Sequence, residues 1–349
     1  MTKDLTRGTP WKLIVQFALP IMAGNLLQQL YNTADTIIVG NFNGQQALSA
    51  VGACASLTVL FTALAIGFSI GAGVLISQYF GASREQELRQ YAATAIVLML
   101  AMGLLMSLIG VCSARFLLAR ALGTPEALLP LTLLYFRIYA AGLVFQFGYN
   151  IAAALLRALG DSKSPVWFLA AASAINIVLD LLTVCVLGMG VAGAAIATVV
   201  SQLGSGLLCV AYLKKRFPIL HMEKDDWKTS RPEAMRLLGM GVPVGLQFSI
   251  TAIGSVILQS AVNSLGAVCV SGVAVAGKIY TLLACPFDAL AMAATNFTGQ
   301  NLGAGKYDRI KQGTYACMFI GILYCVLFVL IAQFGTRYLA LLFMNADEA

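Results

Sequence analysis

Long uncharged stretches dominate this chain and limit what it can fold into. Residues 36–83, 181–213 and 237–277 contain no Asp, Glu, Lys or Arg. A helix of about 20 apolar residues crosses the ~30 Å hydrocarbon layer of a membrane, whereas a soluble protein needs a largely polar surface. Since 59% of the 349 residues are also hydrophobic, we predict an all-α membrane protein.

Nine spanning helices follow from the apolar runs and their boundaries. The connections between them are short, except for a charged one over 214–235. The predicted helices cover residues 12–39, 47–80, 91–113, 130–157, 165–187, 191–213, 236–264, 270–299 and 312–334.

Basic side chains alternate between the two sides of this helix arrangement. Seventeen of the 22 Lys and Arg residues precede the first helix or lie in the second, fourth, sixth and eighth connections. Short cytoplasmic loops carry the excess of Lys and Arg, so we expect the N-terminus and the 214–235 loop in the cytoplasm. The net charge of +7 is then a signal of topology, and no nucleic-acid partner is implied.

Two segments of the chain repeat at a fixed distance. SQYFGASREQELRQ (77–90) and GQNLGAGKYDRIKQ (299–312) match at an offset of 222 residues, as do TPEA (124–127) and ADEA (346–349). Parallel repeats with a transport path between them are typical of transporters. We therefore predict a six-helix lobe over 1–213, a cytoplasmic linker over 214–235 and the first three helices of a second lobe over 236–349. A complete second lobe would need three more helices, so we expect a truncated sequence.

Small residues recur within two predicted helices. GFSIG (67–71) and GVPVG (241–245) place glycine pairs four residues apart. This spacing lets helix backbones approach closely inside a membrane. The two segments are predicted to be sites of close helix packing.

Acidic and amide side chains lie within two predicted spans. Asn25, Gln28, Asn32 and Asp35 recur at spacings of 3, 4 and 3, so they share one face of the first helix. A charge in the middle of a bilayer costs about 2.5–3.5 kcal/mol on insertion scales. The acid at the end of this stripe therefore indicates pairing, neutralisation or a wet cavity.

The fifth and sixth helices supply matching polar groups. Asn176 and Asp180 share one face at i, i+4, and Thr198 lies on the next helix. A carboxyl group can bind a proton, and carboxylate, amide and hydroxyl oxygens together suit Na⁺. The residues do not choose between H⁺ and Na⁺, and polar contacts that only join helices stay an alternative.

A wider set of polar and aromatic residues is predicted, on weaker grounds, to line a substrate cavity. Its members lie on the first and fourth helices: Gln28, Tyr31, Asn32, Gln146, Tyr149 and Asn150. Pro20 interrupts the backbone hydrogen bonding of the first helix and is a candidate hinge.

The order and spacing of several motifs resemble one family across the whole chain. LPIMAGNLLQQLYNTADTIIVG, LRALGDSKSP, INIVLD, GVAGAAIATVVSQ and GQNLGAGK are together similar to the multidrug and toxic compound extrusion (MATE) transporters, in particular their DinF-like branch. The resemblance implies two six-helix lobes and export of amphipathic organic cations in exchange for H⁺ or Na⁺. It also implies a bend at Pro20 and a coupling site in the first lobe at Asp35, Asn176, Asp180, Thr198 and Tyr135, where Na⁺ would use the first four.

The prediction for function is a cation-coupled antiporter that exports drugs across the bacterial plasma (inner) membrane by alternating access. We expect no enzymatic activity, no cofactor besides the coupling ion, a small-molecule substrate, the lipid bilayer as surroundings and a monomer. One alternative is a flippase for lipid-linked saccharides, which would need several cations in its cavity, where only Arg137 and Lys278 are candidates. An ion channel or sensor is a further alternative.

Overall fold

The computed structural model describes residues 4–263 and 267–340. The segment ADEA (346–349), used above as a repeat partner, lies outside the described residues. Helices joined by short connections make up the described fold. We number them α1 Pro10–Phe42, α2 Gln46–Gly81, α3 Glu85–Phe116, α4 Leu129–Ala141 with Leu143–Ala158, α5 Ser164–Asp180, α6 Gly190–Arg216, α7 Arg231–Asn263, α8 Ala267–Gly303 and α9 Tyr307–Ala340.

Each of the nine predicted spans overlaps one of these helices. Over the residues described, seven helices are long and apolar enough to cross a membrane, and the bent α4 makes an eighth. The all-α membrane fold is therefore confirmed. α8 does not meet this test over its described residues.

The first two helices form one continuous path with a single break. Gly44 has φ 77° and ψ 178°, the one position in this path with non-helical dihedral angles. Positive φ costs glycine little because it has no Cβ. This residue lies in the predicted connection NFNGQQ and separates α1 from α2.

The fourth helix differs from its prediction as a single span over 130–157. It consists of two segments that bend by 42° at Gly142. A Cβ on Gly142 would collide with Val199 of α6, so the glycine allows α4 and α6 to pack closely here. Ser107 of α3 binds both sides of the bend: its Oγ accepts from the Val144 N–H at 3.3 Å and donates to the Ala141 carbonyl at 3.5 Å.

The two glycine pairs singled out in the sequence meet each other. A Cβ on Gly67 would collide with the backbone of Gly245, and a Cβ on Gly71 with that of Gly241. α2 and α7 thus cross with their backbones in contact, which confirms the predicted close packing.

The repeat in the sequence reappears as reciprocal contacts between the halves. A Cβ on Gly81 would collide with the carbonyl of Gln300, and a Cβ on Gly303 with that of Gln78. Gly303 and Gln300 lie 222 residues after Gly81 and Gln78, so each copy of the motif contacts the other in the same way. The two halves are therefore related by an approximate twofold axis at this crossing.

The contact between α1 and α8 follows the same relationship. Ala289 and Ala293 lie 222 residues after Gly67 and Gly71, so they are the equivalent positions in the second copy of the repeat. Both alanines are fully buried. They pack in one apolar cluster with Phe17 and Ile21 of α1. These contacts between the halves lie near the helix ends that carry the basic connections, so the halves join at that side.

Candidate functional site

Asp180 lies at a change in helix geometry. The α-helical part of α5 ends at this residue, and the chain continues as a π-helix over Leu181–Val186. Single turns of π-helix are rare in proteins overall, and those that occur are often found at functional sites. The Asp180 side chain is fully buried, where an isolated carboxylate would be costly.

Asp35 of α1 is the group that faces Asp180. The two carboxyl groups are close enough to share a hydrogen bond when one of them carries a proton. Both oxygens of Asp180 and Oδ1 of Asp35 are buried without a hydrogen-bond partner among the described residues. The pair therefore has acceptor capacity that no other described residue uses.

Further buried polar atoms without partners among the described residues lie on α5 and α6. They belong to the amide of Asn176, the hydroxyl groups of Ser173 and Ser205 and Oε1 of Gln202. Buried polar groups are nearly always hydrogen-bonded, and each one left unsatisfied costs about 1–3 kcal/mol. Such a concentration indicates a place that receives a small polar guest.

A small cavity between α1, α5 and α6 is lined by these four residues, whereas neither Asp35 nor Asp180 lines it. Its volume is about 10 Å³, and its lining includes Tyr31, Asn176, Thr198, Ser201 and Gln202. A cavity needs roughly 10–15 Å³ to hold one water molecule. The space therefore fits a guest of water size at most.

The donor set is made of hard oxygens. In the described chain no three His, Cys, Asp or Glu side chains come together, so a bound cation would use amide and hydroxyl oxygens besides the carboxyl pair. Carboxylate, amide and hydroxyl oxygens suit Na⁺, and the carboxyl pair alone suits a proton. The Thr198 hydroxyl donates to the Ala194 carbonyl at 3.0 Å, which leaves its oxygen free to accept or coordinate.

Tyrosines surround the acid pair on the α4 side. Tyr135 is buried and close enough to Asp35 to interact with it electrostatically. Tyr31 interacts with both acids and with Tyr139. Asp35, Asn176, Asp180, Thr198 and Tyr135 are thus brought together in one region of the first half.

The predicted substrate-cavity residues separate into two groups. Gln146 is bonded within a triangle, donating to Thr62 Oγ1 at 2.9 Å and accepting from Tyr139 at 3.1 Å. The Asn150 amide donates to the Gln146 carbonyl at 2.9 Å. On α1, Gln28 is half-buried and Asn32 is exposed.

Tyr149 lies apart from these residues, and its place in a substrate cavity stays a prediction. It lines a separate, mainly apolar cavity between α3, α4 and α6. The reason is the glycine opposite: the backbone of Tyr149 packs near Gly206 of α6, which leaves room for the ring on that side.

Pro20 lies inside α1 without interrupting it. The dihedral angles of α1 stay helical through Pro20, and the break occurs only at Gly44. A hinge at Pro20 stays a prediction.

The sequence prediction missed two polar residues of this region. Ser173 lies three residues before Asn176, so the series Ser173, Asn176 and Asp180 at spacings of 3 and 4 was a signal for one helix face. Thr62 of α2, four residues after Thr58 in an otherwise apolar stretch, was not singled out.

Comparison with known families identifies the chain. A sequence model of the MatE family matches residues 20–182 and 243–349. The chain belongs to the MATE family. The second matched segment begins at nearly the repeat offset from the first, in agreement with two related halves.

Similar proteins support the same assignment. The probable multidrug resistance protein YpnP of Bacillus subtilis is 34% identical over 315 residues, which cover 88% of this chain and 68% of that protein. A MOP superfamily transporter from Pyrococcus furiosus has a TM-score of 0.91 at 27% identity, covering 100% of this chain and 78% of that one. An outward-facing multidrug resistance MATE transporter has a TM-score of 0.90 at 28% identity, covering 99% and 78%. This MATE protein is therefore a membrane transporter of the multidrug-efflux type.

Proposed function

We propose that this MATE protein is an antiporter that exports amphipathic organic cations in exchange for H⁺ or Na⁺. Asp35 and Asp180 bind the coupling ion, and Asn176, Thr198 and Tyr135 assist them. The observation that carries the proposal is the buried carboxyl pair, whose oxygens lack hydrogen-bond partners within the described chain.

The chemistry follows from charge in a dry environment. Two carboxylates that share a buried place repel each other, and the ion pairs of the described residues include neither of them. Binding of one small cation removes this penalty. Binding of the ion is therefore most favourable here, where no protein group balances the charge of the carboxylates.

Alternating access gives the ion its effect on the substrate. Contacts between the halves lie on the side with the basic connections, which the positive-inside rule assigns to the cytoplasm. We propose that this arrangement is closed to the cytoplasm and open outward, and its similarity to an outward-facing MATE structure supports the proposal. An ion that favours one arrangement and a drug that favours the other are exchanged across the membrane.

The driving forces are large enough for efflux. One pH unit supplies about 1.4 kcal/mol per proton, and 100 mV adds about 2.3 kcal/mol per charge moved. The names of the relatives support drugs as substrates, and the acidic pair favours cationic ones. We propose that the protein works as a monomer in the bacterial plasma membrane, with its N-terminus in the cytoplasm.

Ethidium efflux in everted vesicles tests the proposal. Asp35→Asn and Asp180→Asn remove the charge but keep nearly the same shape, so we expect both to abolish efflux. Asp288→Asn is the matched control, because Asp288 is an exposed acid in another helix, and it should retain efflux. Full efflux by both Asp35→Asn and Asp180→Asn would overturn the proposal.

A further inference from the structure

A large cavity lies on the first half, apart from the acid pair. It has a volume of about 590 Å³ and is lined by α3, α4, α6 and the loop that follows α6. α3 and α6 both pack against α4 but hardly contact each other, so a groove remains between them. Its rim includes Leu100, Leu207 and Val210, all of which are exposed and lie where the spans face lipid.

Small residues keep the groove open. Gly148 and Ala152 of α4 and Gly206 of α6 line it. A Cβ on Gly148 would contact only Leu100, at 3.4 Å. The space therefore results from missing side chains, and a larger side chain could occupy it without moving the backbone.

One end of the groove is basic. Lys214 and His221 line it there, together with Trp227, and Lys215 and Arg216 follow on α6. Lys214 forms no ion pair within the described part of the chain. Trp227 is 46% exposed, as expected for a ring at the boundary between lipid and water.

We propose that this groove, formed by α3, α4, α6 and the loop residues 220–222 and 227, binds one anionic phospholipid. An acyl chain lies along the apolar part, and the phosphate contacts Lys214 and His221. The volume lies within the range of about 300–1,000 Å³ for small-molecule sites. Basic pockets between spanning helices on the cytoplasmic side are known to hold acidic head groups.

Charge decides between a lipid and a transported drug. An amphipathic organic cation would place its positive charge beside Lys214, which repels it. An anionic head group has the complementary charge, and a zwitterionic lipid has no net charge to match. The groove is thus a lipid site distinct from the proposed coupling site.

Native mass spectrometry of the purified full chain tests this. Phosphatidylglycerol and phosphatidylcholine with identical acyl chains are offered at equal concentration. We expect preferential retention of phosphatidylglycerol, and Lys214→Gln should reduce that preference about fivefold, the typical contribution of one lysine near an anionic surface. Lys224→Gln, in the same loop but away from the groove, should leave it unchanged.

A second pair of variants tests the apolar part. Gly148→Leu fills the groove and should abolish retention of both lipids. Gly204→Leu makes the same change on α6 at a position where a Cβ meets nothing within 4 Å, and it should retain both. Equal retention of the two lipids by the unaltered protein, or lipid binding that survives Gly148→Leu, would overturn the proposal. Displacement of the lipid by ethidium would also contradict it, because the groove would then be a substrate site.

Discussion

Asp35 and Asp180 face each other across the contact between α1 and α5, with three of their four carboxyl oxygens buried and without a hydrogen-bond partner in the described structure. A fold that needed these residues only to join helices would have satisfied them. These three oxygens have no partner among the described residues, which leaves them available to a guest that binds and leaves. The predictions below follow from this pair and from the contacts that hold the two halves together.

Removing charge from the pair should stabilise the protein while it stops transport. Asp180→Asn replaces a fully buried carboxylate by a neutral amide of the same size and removes the repulsion with Asp35, so we expect a higher melting temperature. Thermal unfolding in detergent, followed by tryptophan fluorescence, measures it. Asp288→Asn is again the control, with little change expected. A clear loss of stability in Asp180→Asn would show that the carboxylate is a structural group.

The reciprocal glycine contacts should control which side is closed. Gly81→Val and Gly303→Val each introduce a side chain against the backbone of the other half, so both should separate the halves at the basic-loop side and reduce efflux. Gly321→Val is the control, since a Cβ there meets nothing within 4 Å. Distances between spin labels on α2 and α8 report the separation. Unchanged distances in both variants would contradict the assigned role of this crossing.

The segment before α1 should be held by the second half. Arg309 donates to the Gly8 carbonyl at 2.8 Å and the Leu5 carbonyl at 3.3 Å, and the Leu5 N–H donates to Gln300 at 3.0 Å. Hydrogen bonds to a charged group contribute about 1.5–3 kcal/mol, so Arg309→Gln should raise hydrogen exchange at residues 5–8 by tenfold or more. Lys311→Gln, exposed on the same helix, is the control. If exchange stays slow in Arg309→Gln, the segment is held by other contacts.

The bend in α4 should depend on one hydroxyl group. Ser107→Ala leaves the Val144 N–H without the acceptor that Ser107 supplies at 3.3 Å, at a cost of about 1–3 kcal/mol. Ser113→Ala on the same helix is the control, because that exposed hydroxyl only donates to its own helix at Ile109. The melting temperatures of the two variants measure this cost, and we expect a lower value for Ser107→Ala. Equal values would mean that the bend does not need Ser107.

Helix periodicity was sufficient to predict that the acidic groups lie close together. The i, i+4 spacing of Asn176 and Asp180 and the stripe that ends at Asp35 placed these groups on inner faces, and the structure brings them together. The repeat likewise predicted related motifs that turned out to contact each other. These features could be predicted because they depend on the spacing of residues along the chain, which the sequence shows directly.

Features that depend on a distant partner could not be predicted. The close approach at Gly142 depends on Val199 of α6 opposite it. The start of α7 could have been predicted, because the sequence contains the signal for it. Ser230 and Glu233 bind each other's backbone N–H groups at 3.3 and 3.4 Å, a capping box that begins the helix at Arg231 and not at the predicted 236.

Drug uptake into proteoliposomes under an imposed gradient tests the central claim most directly. Vesicles containing the full chain are given a pH difference or a Na⁺ difference, and ethidium accumulation is compared with that of Asp35→Asn and Asp180→Asn. We predict that the unaltered protein accumulates ethidium under at least one of the two gradients and that both variants fail to do so. Accumulation by the variants at the rate of the unaltered protein would show that the Asp35–Asp180 pair does not couple the ion to the drug.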